Sequence, residues 1–376
     1  MKKIITIIFI LLLTGCYNYK ELNKLGIVSS ISIDKKEDKY LIGAQVMNIK
    51  DEKESESSKV IVFESTGSTI EEALRKMTNT ADKKLYGGHL SKLVLSEEIA
   101  KEGIINVIDL FQRLPEIKDE FTITISKGIQ ALDVIKVLTN GSTPADYVSN
   151  AIENSSIESA LTYSSKLDEF LSFYLKKYID PVVSVIEVEN FNNKGTTINN
   201  SETTSPKTRI ELSNIAITKD GKLEKYLDND ETIGYNFLMN KIDQMIVPVK
   251  CDDNNYASIS ILSSKTKSNV NKSNNKFIIN FYIEGNANIN EYNCKKEINE
   301  ETITELEKLT NNKIKDYINK VLDVKTDSEF LGLKRIIYLD YPNYNNEKYN
   351  LETKININIS RKGEISNSSK GEKYEH

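Results

Sequence analysis

The feature that most constrains this chain is a short apolar segment at its N-terminus that ends in a cysteine. Two lysines precede an apolar run from Ile4 to Leu13, and Gly15 and Cys16 follow it. The run has ten residues, whereas a helix needs roughly 20 apolar residues to span a membrane. A basic start, a short apolar core and a small residue before the cysteine are typical of a lipoprotein signal peptide. We therefore expect residues 1–15 to be cleaved and Cys16 to carry the lipid.

A lipid on Cys16 decides where the rest of the chain folds. Each buried methylene contributes about 0.8 kcal/mol, and two acyl chains hold a protein stably on a membrane. No later stretch of the sequence has the length and apolarity of a spanning helix. The sequence therefore predicts a folded body tethered to the extracytoplasmic face of the cell membrane.

The composition is that of a globular protein of more than one domain. Hydrophobic residues make up 39% and charged residues 28% of the 376 residues, which is enough apolar material for two or three cores. The formal net charge is -5, and cleavage of the two N-terminal lysines makes the body more acidic. A nucleic-acid partner, which requires a basic surface, is therefore not expected.

A polar stretch near the middle of the chain predicts the main domain boundary. Residues 191–206 lack hydrophobic periodicity and are rich in Asn, Thr and Ser, so we predict an inter-domain linker or a long loop there. The region before it, 16–190, is predicted to be α+β and to hold one or two domains. Residues 207–365 are predicted as a C-terminal α+β domain, and 366–376 as a disordered tail.

Helices are predicted from capping residues and from apolar residues at helical spacing. Ser68 with Glu71 forms a capping-box pair, and Thr143 before Pro144 is a second helix start. One predicted buried helix face consists of Leu167, Phe170, Leu171, Tyr174 and Leu175. A longer helix is indicated by Ile303, Leu306, Ile314, Ile318, Val321 and Leu322.

Strands are predicted where apolar and polar residues alternate. This pattern occurs at 121–126 and at 355–360, and the charged residues 51–59 lie between two strand-like runs, 40–47 and 60–63, as in a hairpin. Strands and helices do not alternate strictly, and no phosphate-binding glycine loop follows a first strand. We therefore predict a multi-domain α+β fold with mixed or antiparallel sheets packed with helices, rather than a doubly wound sheet.

The sequence carries no known catalytic motif. Of its two histidines, His376 is the last residue, so His89 alone has the side chain of a near-neutral base, and we interpret it as a hydrogen-bonded structural residue. Metal sites built from His and Cys are not supported by the small number of these residues. Asp228 and Asp230 resemble the start of a calcium loop, but the glycine and glutamate that such a loop needs further on are absent. We expect no metal and no cofactor.

Two cysteines remain once Cys16 carries a lipid. Cys251 and Cys294 lie in the same half of the chain. Because that half is predicted to fold outside the cytoplasm, a disulfide between them could persist there. A disulfide between them and two separately buried thiols are both compatible with the sequence.

The segment after the signal peptide resembles a known family. Tyr17–Leu22 and then Ile27–Asp34 are similar to the mature start of the Ger(x)C family, the lipoprotein C subunits of spore nutrient-germinant receptors. Members usually have Trp after the lipidated cysteine, whereas this chain has Tyr17 and no Trp.

Further segments resemble the same family in the same order. Gly88–Ile104 is one of them, and its residues independently predict a strand, a helix that begins after Ser96 and a stop near Gly103. The others are Asp109–Arg113, Pro115–Ile117, Ala216–Thr218 with Gly221–Leu223, Leu227, Glu231 and Gly234, Asp327–Leu333, and the strand that ends in Arg361–Gly363. Four positions match the family without an assigned role, namely His89, Arg113, Glu231 and Gly234.

The resemblance implies a non-enzymatic subunit on the outer face of the spore's inner membrane. It implies assembly with an A subunit and a membrane-spanning B subunit, with a small-molecule germinant acting through the complex. A rival hypothesis is a solute-binding lipoprotein that feeds a transporter, and a third is a surface enzyme that uses paired carboxylates. The rival predicts two similar lobes and an aromatic cleft, but the sequence shows no lobe repeat and no Trp.

Overall fold

The structure is a computed structural model, and it describes residues 24–47, 60–138, 143–191, 193–273 and 276–361. Two β-sheets packed with helices make up these residues. The signal peptide at 1–15, Cys16, the predicted loop at 51–59 and the tail at 366–376 lie outside the described residues.

The first sheet has nine strands among the described residues. They are β1 (Leu25–Lys36), β2 (Lys39–Met47), β3 (Val60–Gly67), β4 (Lys84–Tyr86), β5 (Lys92–Ser96), β6 (Thr122–Ser126), β7 (Val182–Glu189), β8 (Arg209–Lys219) and β9 (Lys222–Tyr226). Their order is β3-β2-β1-β5-β6-β7-β8-β9, and β4 pairs with the start of β1. The central strands β1, β5, β6 and β7 are parallel, whereas the strands on either side pair antiparallel, so the sheet is mixed.

The second sheet has four strands in consecutive order within the described residues. They are β10 (Met245–Lys250), β11 (Tyr256–Ser273), β12 (Lys276–Tyr292) and β13 (Tyr349–Arg361). The first three pair antiparallel, and β13 joins β12 in parallel. Along β13, apolar side chains alternate with exposed polar ones, which confirms the predicted strand at 355–360.

Nine α-helices lie within the described residues. They are α1 (Ile70–Lys76), α2 (Glu97–Arg113), α3 (Ala131–Lys136), α4 (Pro144–Glu158), α5 (Leu167–Tyr174), α6 (Ile198–Glu202), α7 (Asn229–Leu238), α8 (Glu300–Leu322) and α9 (Leu333–Asp340). Short 3-10 segments occur at Met77–Asn79 and Asn193–Thr196.

Two predicted helix boundaries are confirmed by backbone geometry. The Ser96 hydroxyl accepts a hydrogen bond from the Ile99 N–H at 3.3 Å and caps α2. Gly103 interrupts this helix with a φ of +146°, a region that glycine tolerates. The N–H of Ile104, freed by the interruption, donates to the Gly221 carbonyl at 2.8 Å. The stop predicted near Gly103 is therefore a kink that a neighbouring turn stabilises.

The first predicted capping box was wrong by one residue. Thr69, not Ser68, caps α1, because its extended backbone directs its hydroxyl to the Glu72 N–H at 3.1 Å. The Glu72 carboxylate accepts from the N–H of Ser68, the residue before this cap, at 2.7 Å, so no reciprocal capping box forms. Glu71, the predicted partner, instead pairs with Arg75 one turn further along the exposed face.

Helices cover both faces of the first sheet and one core extends into the second sheet. On one face α1, α2 and α5 pack against the central strands, and on the other face α3 and α4 do so. A further core holds α7, α8 and α9 against the second sheet and includes Val182, Ile215 and Ile217 from β7 and β8. The multi-domain α+β fold predicted from the sequence is confirmed in these two sheets and their helices.

The predicted linker lies between two paired strands of the first sheet. Its described part, 191 and 193–206, lies between β7 and β8 and contains α6. Asn200 is buried there, and its Nδ2 donates to the carbonyls of Leu138 at 3.0 Å and Thr208 at 3.2 Å. The sheet thus continues past this point, and the division into domains stays a prediction.

Candidate functional site

The exposed residues singled out from the sequence lie in separate surface positions. His89 is exposed in the turn after β4, and the centroid of its ring lies 6.3 Å from that of Tyr86 in an edge-on arrangement. Arg113 ends α2, and its guanidinium donates from Nε and Nη2 to Asp109, both at 3.0 Å. An exposed ion pair one helical turn apart contributes little to stability. Neither residue faces a carboxylate pair or a nucleophile among the described residues.

Glu231 completes the capping box of α7. Its carboxylate accepts from the Asp228 N–H at 2.8 Å, and Asp228 accepts in return from the Glu231 N–H at 2.8 Å. Asp230 forms an ion pair with Lys320 on α8. The acidic residues that resembled a calcium loop therefore begin a helix and join it to its neighbour.

Gly234 lies at a close approach of α7 to α8. A Cβ atom on this residue would lie 2.2 Å from the carbonyl oxygen of Tyr317 and 2.8 Å from its carbonyl carbon. Real Cβ atoms do not approach backbone atoms this closely, so only glycine fits here without moving a helix. Its role is to allow two helices to pack.

The segment Asp327–Leu333 attaches α9 to the first sheet. Asp180, in the loop before β7, is buried, and its Oδ2 accepts from the Glu329 N–H at 2.7 Å. Its Oδ1 accepts from the Asp220 N–H at 3.2 Å in the turn between β8 and β9. One carboxylate thus connects three segments that are far apart in the sequence.

Two further contacts strengthen this junction. The Ser328 hydroxyl donates to the Thr218 carbonyl at 2.5 Å. Phe330 is buried and stacks on Tyr235 of α7, with ring centroids 6.0 Å apart. Stacked aromatic pairs contribute about 1 kcal/mol beyond the area that they bury. The segment therefore joins the core of the second sheet to the edge of the first.

The two C-terminal cysteines form a disulfide in the structure. Cys251 follows β10 and Cys294 follows β12, and their Cα atoms lie 6.0 Å apart, within the range that a disulfide requires. Beside this bridge, Asp252 accepts hydrogen bonds from the Asn255 amide at 2.6 Å and from the Lys295 N–H at 3.4 Å. The arrangement links the ends of two strands of one sheet.

Sequence reasoning missed two buried charged groups in the first sheet. Asp34 accepts hydrogen bonds from the N–H groups of Ala131 and Leu132 at the start of α3, at 2.7 and 2.8 Å, while burial raises its pKa to about 6. Lys92 is 1% exposed, and burial lowers the pKa of its amine to about 7. No described group lies within hydrogen-bonding distance of the Lys92 Nζ.

A groove of about 320 Å³ lies between the first sheet, α1 and the end of α2. Its apolar lining residues are Val28, Ile31, Ala44, Leu74, Leu85, Leu114, Pro115 and Ile117. The charges at its rim are already paired, Glu71 with Arg75 and Glu116 with Lys84, both at 2.8 Å. The groove therefore offers apolar surface but no free catalytic group.

No metal centre is present in the part of the chain that the structure describes. No group of three or more His, Cys, Asp and Glu side chains converges there on one point. None of the helices between residues 24 and 361 that the structure describes is long and apolar enough to span a membrane. The residues that resemble the family and whose contacts are described above cap a helix, let two helices pack, or attach a helix to the first sheet.

Two family models match the chain in consecutive order. The model described as spore germination protein N-terminal domain matches residues 18–188, and the model described as spore germination B3/GerAC like, C-terminal, matches residues 213–369. Together they cover most of the chain.

Curated relatives and a solved structure are similar over nearly the full length. Spore germination protein KC of Bacillus subtilis (strain 168) is 24% identical over 90% of this chain and 87% of its own. Spore germination protein GerQC of Bacillus cereus is 20% identical over 89% of both chains. The crystal structure of the GerBC protein covers 88% of this chain and 96% of its own, with a TM-score of 0.51 and 17% identity, which shows a shared fold. By these matches, the chain belongs to the Ger(x)C family of spore germination proteins.

Proposed function

We propose that this protein is the lipid-anchored C subunit of a nutrient germinant receptor, needed for the germination response of a spore. The observation that carries the proposal is the consecutive match of both germination family models. The protein sits on the extracytoplasmic face of the spore's inner membrane through Cys16. It assembles with an A subunit and a membrane-spanning B subunit, and a small-molecule germinant acts through that complex.

The subunit acts by assembly and not by catalysis. Support comes from the residues that match the family, because Glu231 caps a helix, Gly234 allows two helices to pack and Arg113 makes an exposed ion pair. Buried carboxylates such as Asp34 and Asp180 accept backbone hydrogen bonds instead of facing a cleft. A solute-binding function is not favoured, since both halves of the chain match germination families.

Gene deletion in a spore former that lacks a redundant receptor tests the proposal. Spores without the protein should fail to release dipicolinate when nutrients are added, yet germinate normally with a stimulus that bypasses receptors. Complementation with the native gene should restore the response. Normal nutrient germination in the deletion strain contradicts the proposal.

Two variants separate the anchor from the folded body. Cys16→Ala should leave uncleaved precursor or move the protein out of the membrane fraction, and it should reduce nutrient germination. Arg113→Ala is the matched control, because it removes an exposed pair without a predicted role in anchoring. Pull-down from detergent-solubilised spore membranes should recover both membrane subunits with the native chain and with Arg113→Ala.

A further inference from the structure

Two leucines are unusually exposed on neighbouring elements. Leu175 is 77% exposed at the end of α5, and Leu339 is 62% exposed near the end of α9. The sequence pattern predicted Leu175 on the buried face of its helix, which was wrong because α5 ends at Tyr174 and the chain turns away there. The two elements are in contact, since the Arg335 guanidinium donates to the Lys177 carbonyl at 3.3 Å. Arg335 and Leu339 lie one helical turn apart on the same face of α9.

A continuous group of aromatic rings lies beside these leucines. Tyr178 contacts Tyr338 and Tyr344, with ring centroids 5.5 and 5.9 Å apart. Phe277, at the start of β12, contacts Tyr344 at 5.6 Å and Tyr341 at 5.1 Å. Phe277 and Tyr344 are buried, whereas the other three rings are partly exposed. Tyrosine rings with an apolar body and a polar hydroxyl are enriched at membrane interfaces.

Cations surround the aromatic rings in excess over acids. Lys176 and Lys177 are exposed beside Leu175, and the Lys272 ammonium lies 4.7 Å from the centroid of the Phe277 ring. With Arg335 they make four cations. The exposed acids near them are Asp340 and Glu347, and Glu329 beside Tyr344 is paired with Lys334, so the net charge around these rings is positive. A net positive surface with protruding aliphatic side chains complements anionic lipid headgroups.

The first described strand, β1, begins at the same end of the first sheet as β7, which follows Leu175 in the chain. Strands β1 and β7 run parallel through β5 and β6, so Leu25 and Val182 both begin their strands at this end. Three strand spacings separate the two strands, and Leu25 lies five residues before Ser30, the residue level with Val182, so Leu25 and Val182 are about 22 Å apart. Cys16 lies nine residues before Leu25, a length of chain that reaches about 30 Å at most. A lipid on Cys16 can therefore lie in the bilayer while the exposed leucines touch its surface.

We propose that Leu175, Lys176, Lys177, Tyr338 and Leu339 form a membrane-docking surface that rests on anionic lipid headgroups and orients the tethered protein. This inference rests on the proposed anchoring through Cys16 and adds a second point of contact. A tether alone leaves the body free to rotate. With the second contact, the β1–β2 turn points away from the bilayer, because it lies at the opposite end of the parallel strands.

Hydrogen exchange on reconstituted full-length protein tests the docking surface. The chain is placed in vesicles of phosphatidylglycerol and phosphatidylcholine, and in vesicles of phosphatidylcholine alone. Peptides covering residues 173–178 and 333–341 should exchange about tenfold more slowly on the anionic vesicles, because several cations attracted to the anionic headgroups hold this surface against the bilayer. The peptide covering residues 36–40, in the β1–β2 turn, should exchange equally on both.

A pair of variants separates docking from general loss of apolar surface. Leu175→Ser combined with Leu339→Ser should abolish the slower exchange. Leu262→Ser is the matched control, because Leu262 is also exposed, at 44%, but lies ten residues from Lys272 along β11, or about 33 Å. Both variants should keep the thermal unfolding midpoint of the native chain, since neither side chain is buried.

The outcomes distinguish this inference from the proposed function. Mass spectrometry of the N-terminal peptide in the same sample reports whether Cys16 is acylated. An acylated protein with equal exchange on both vesicles overturns the docking surface and leaves the anchor intact. Slower exchange only in native spore membranes assigns the surface to a protein partner and also overturns the inference. A chain that leaves the vesicle fraction contradicts both proposals.

Discussion

The Asp180 carboxylate accepts a hydrogen bond from the Glu329 N–H at 2.7 Å, across 149 residues of sequence. The same carboxylate accepts from the Asp220 N–H at 3.2 Å, so it holds the start of β7, the β8–β9 turn and the segment before α9 together. Because two backbone donors depend on one buried side chain, the attachment of α9 to the first sheet depends on Asp180.

Replacing Asp180 should therefore weaken the whole junction. Asp180→Ala leaves buried backbone donors without an acceptor, and it should lower the free energy of unfolding by about 3 kcal/mol. Asp180→Asn retains one acceptor oxygen and should cost about half as much. Urea unfolding followed by circular dichroism measures both. Equal stability of the alanine variant and the native chain would show that the junction does not depend on this carboxylate.

Gly234→Ala should separate α7 from α8. The added methyl group meets the Tyr317 carbonyl at 2.2 Å, so a helix must move, and overpacking of this kind costs about 1–3 kcal/mol. Asn229→Ala, at the exposed start of the same helix, is the control for helix propensity. A gain in thermal stability for Gly234→Ala, as expected for alanine in an unhindered helix, would contradict the close approach.

Lys92 should make stability depend on pH above neutrality. The unfolded chain holds this proton up to about pH 10.5, whereas burial lowers the pKa in the folded chain to about 7. Between these values the folded state binds fewer protons, so stability rises with pH, and the cost of the buried charge is fully present below pH 7. Because of Lys92, the free energy of unfolding should rise by roughly 1 kcal/mol per pH unit between these pH values.

Lys92→Met tests this directly. Unfolding in urea at several pH values between neutrality and pH 10 should show that the variant loses the slope and gains most stability at the low end. Lys101→Met, which removes an exposed lysine, controls for the change in net charge. A slope that persists in Lys92→Met would assign the pH dependence to other groups.

The disulfide between Cys251 and Cys294 should stabilise the second sheet. The bond closes a loop with a sequence separation of 43, for which chain entropy predicts about 4 kcal/mol. Replacing both cysteines with serine should lower the unfolding free energy by this amount and make stability insensitive to reductant. Alkylation of both residues in oxidised native protein would instead show two free thiols, the alternative that the sequence left open.

Local patterns predicted the regular elements well because their causes are local. The apolar spacing from Ile303 to Leu322 corresponds to α8, and the caps at Ser96 and Thr143 begin helices where expected. The interruption at Gly103 followed from glycine alone. Each of these depends on residues within one or two helical turns, which a single sequence contains.

The features that required tertiary contacts could not be predicted. Lys92 begins a strand and looks exposed in the sequence, but strands on both sides and helices above bury it. Asp180 gains its role from a segment 149 residues away, and Gly234 gains its role from a carbonyl on another helix. Nothing in the sequence indicated which distant residues contact Lys92, Asp180 and Gly234. The roles of these three residues could therefore be assigned only from the structure.

The most direct test of the account is the mass of the N-terminal peptide of the protein isolated from spore membranes. We predict a mature N-terminus at Cys16 with a diacylglyceryl group on its sulfur. A peptide that begins earlier, or an unmodified Cys16, would contradict the membrane anchoring on which the proposed receptor subunit and its docking surface depend.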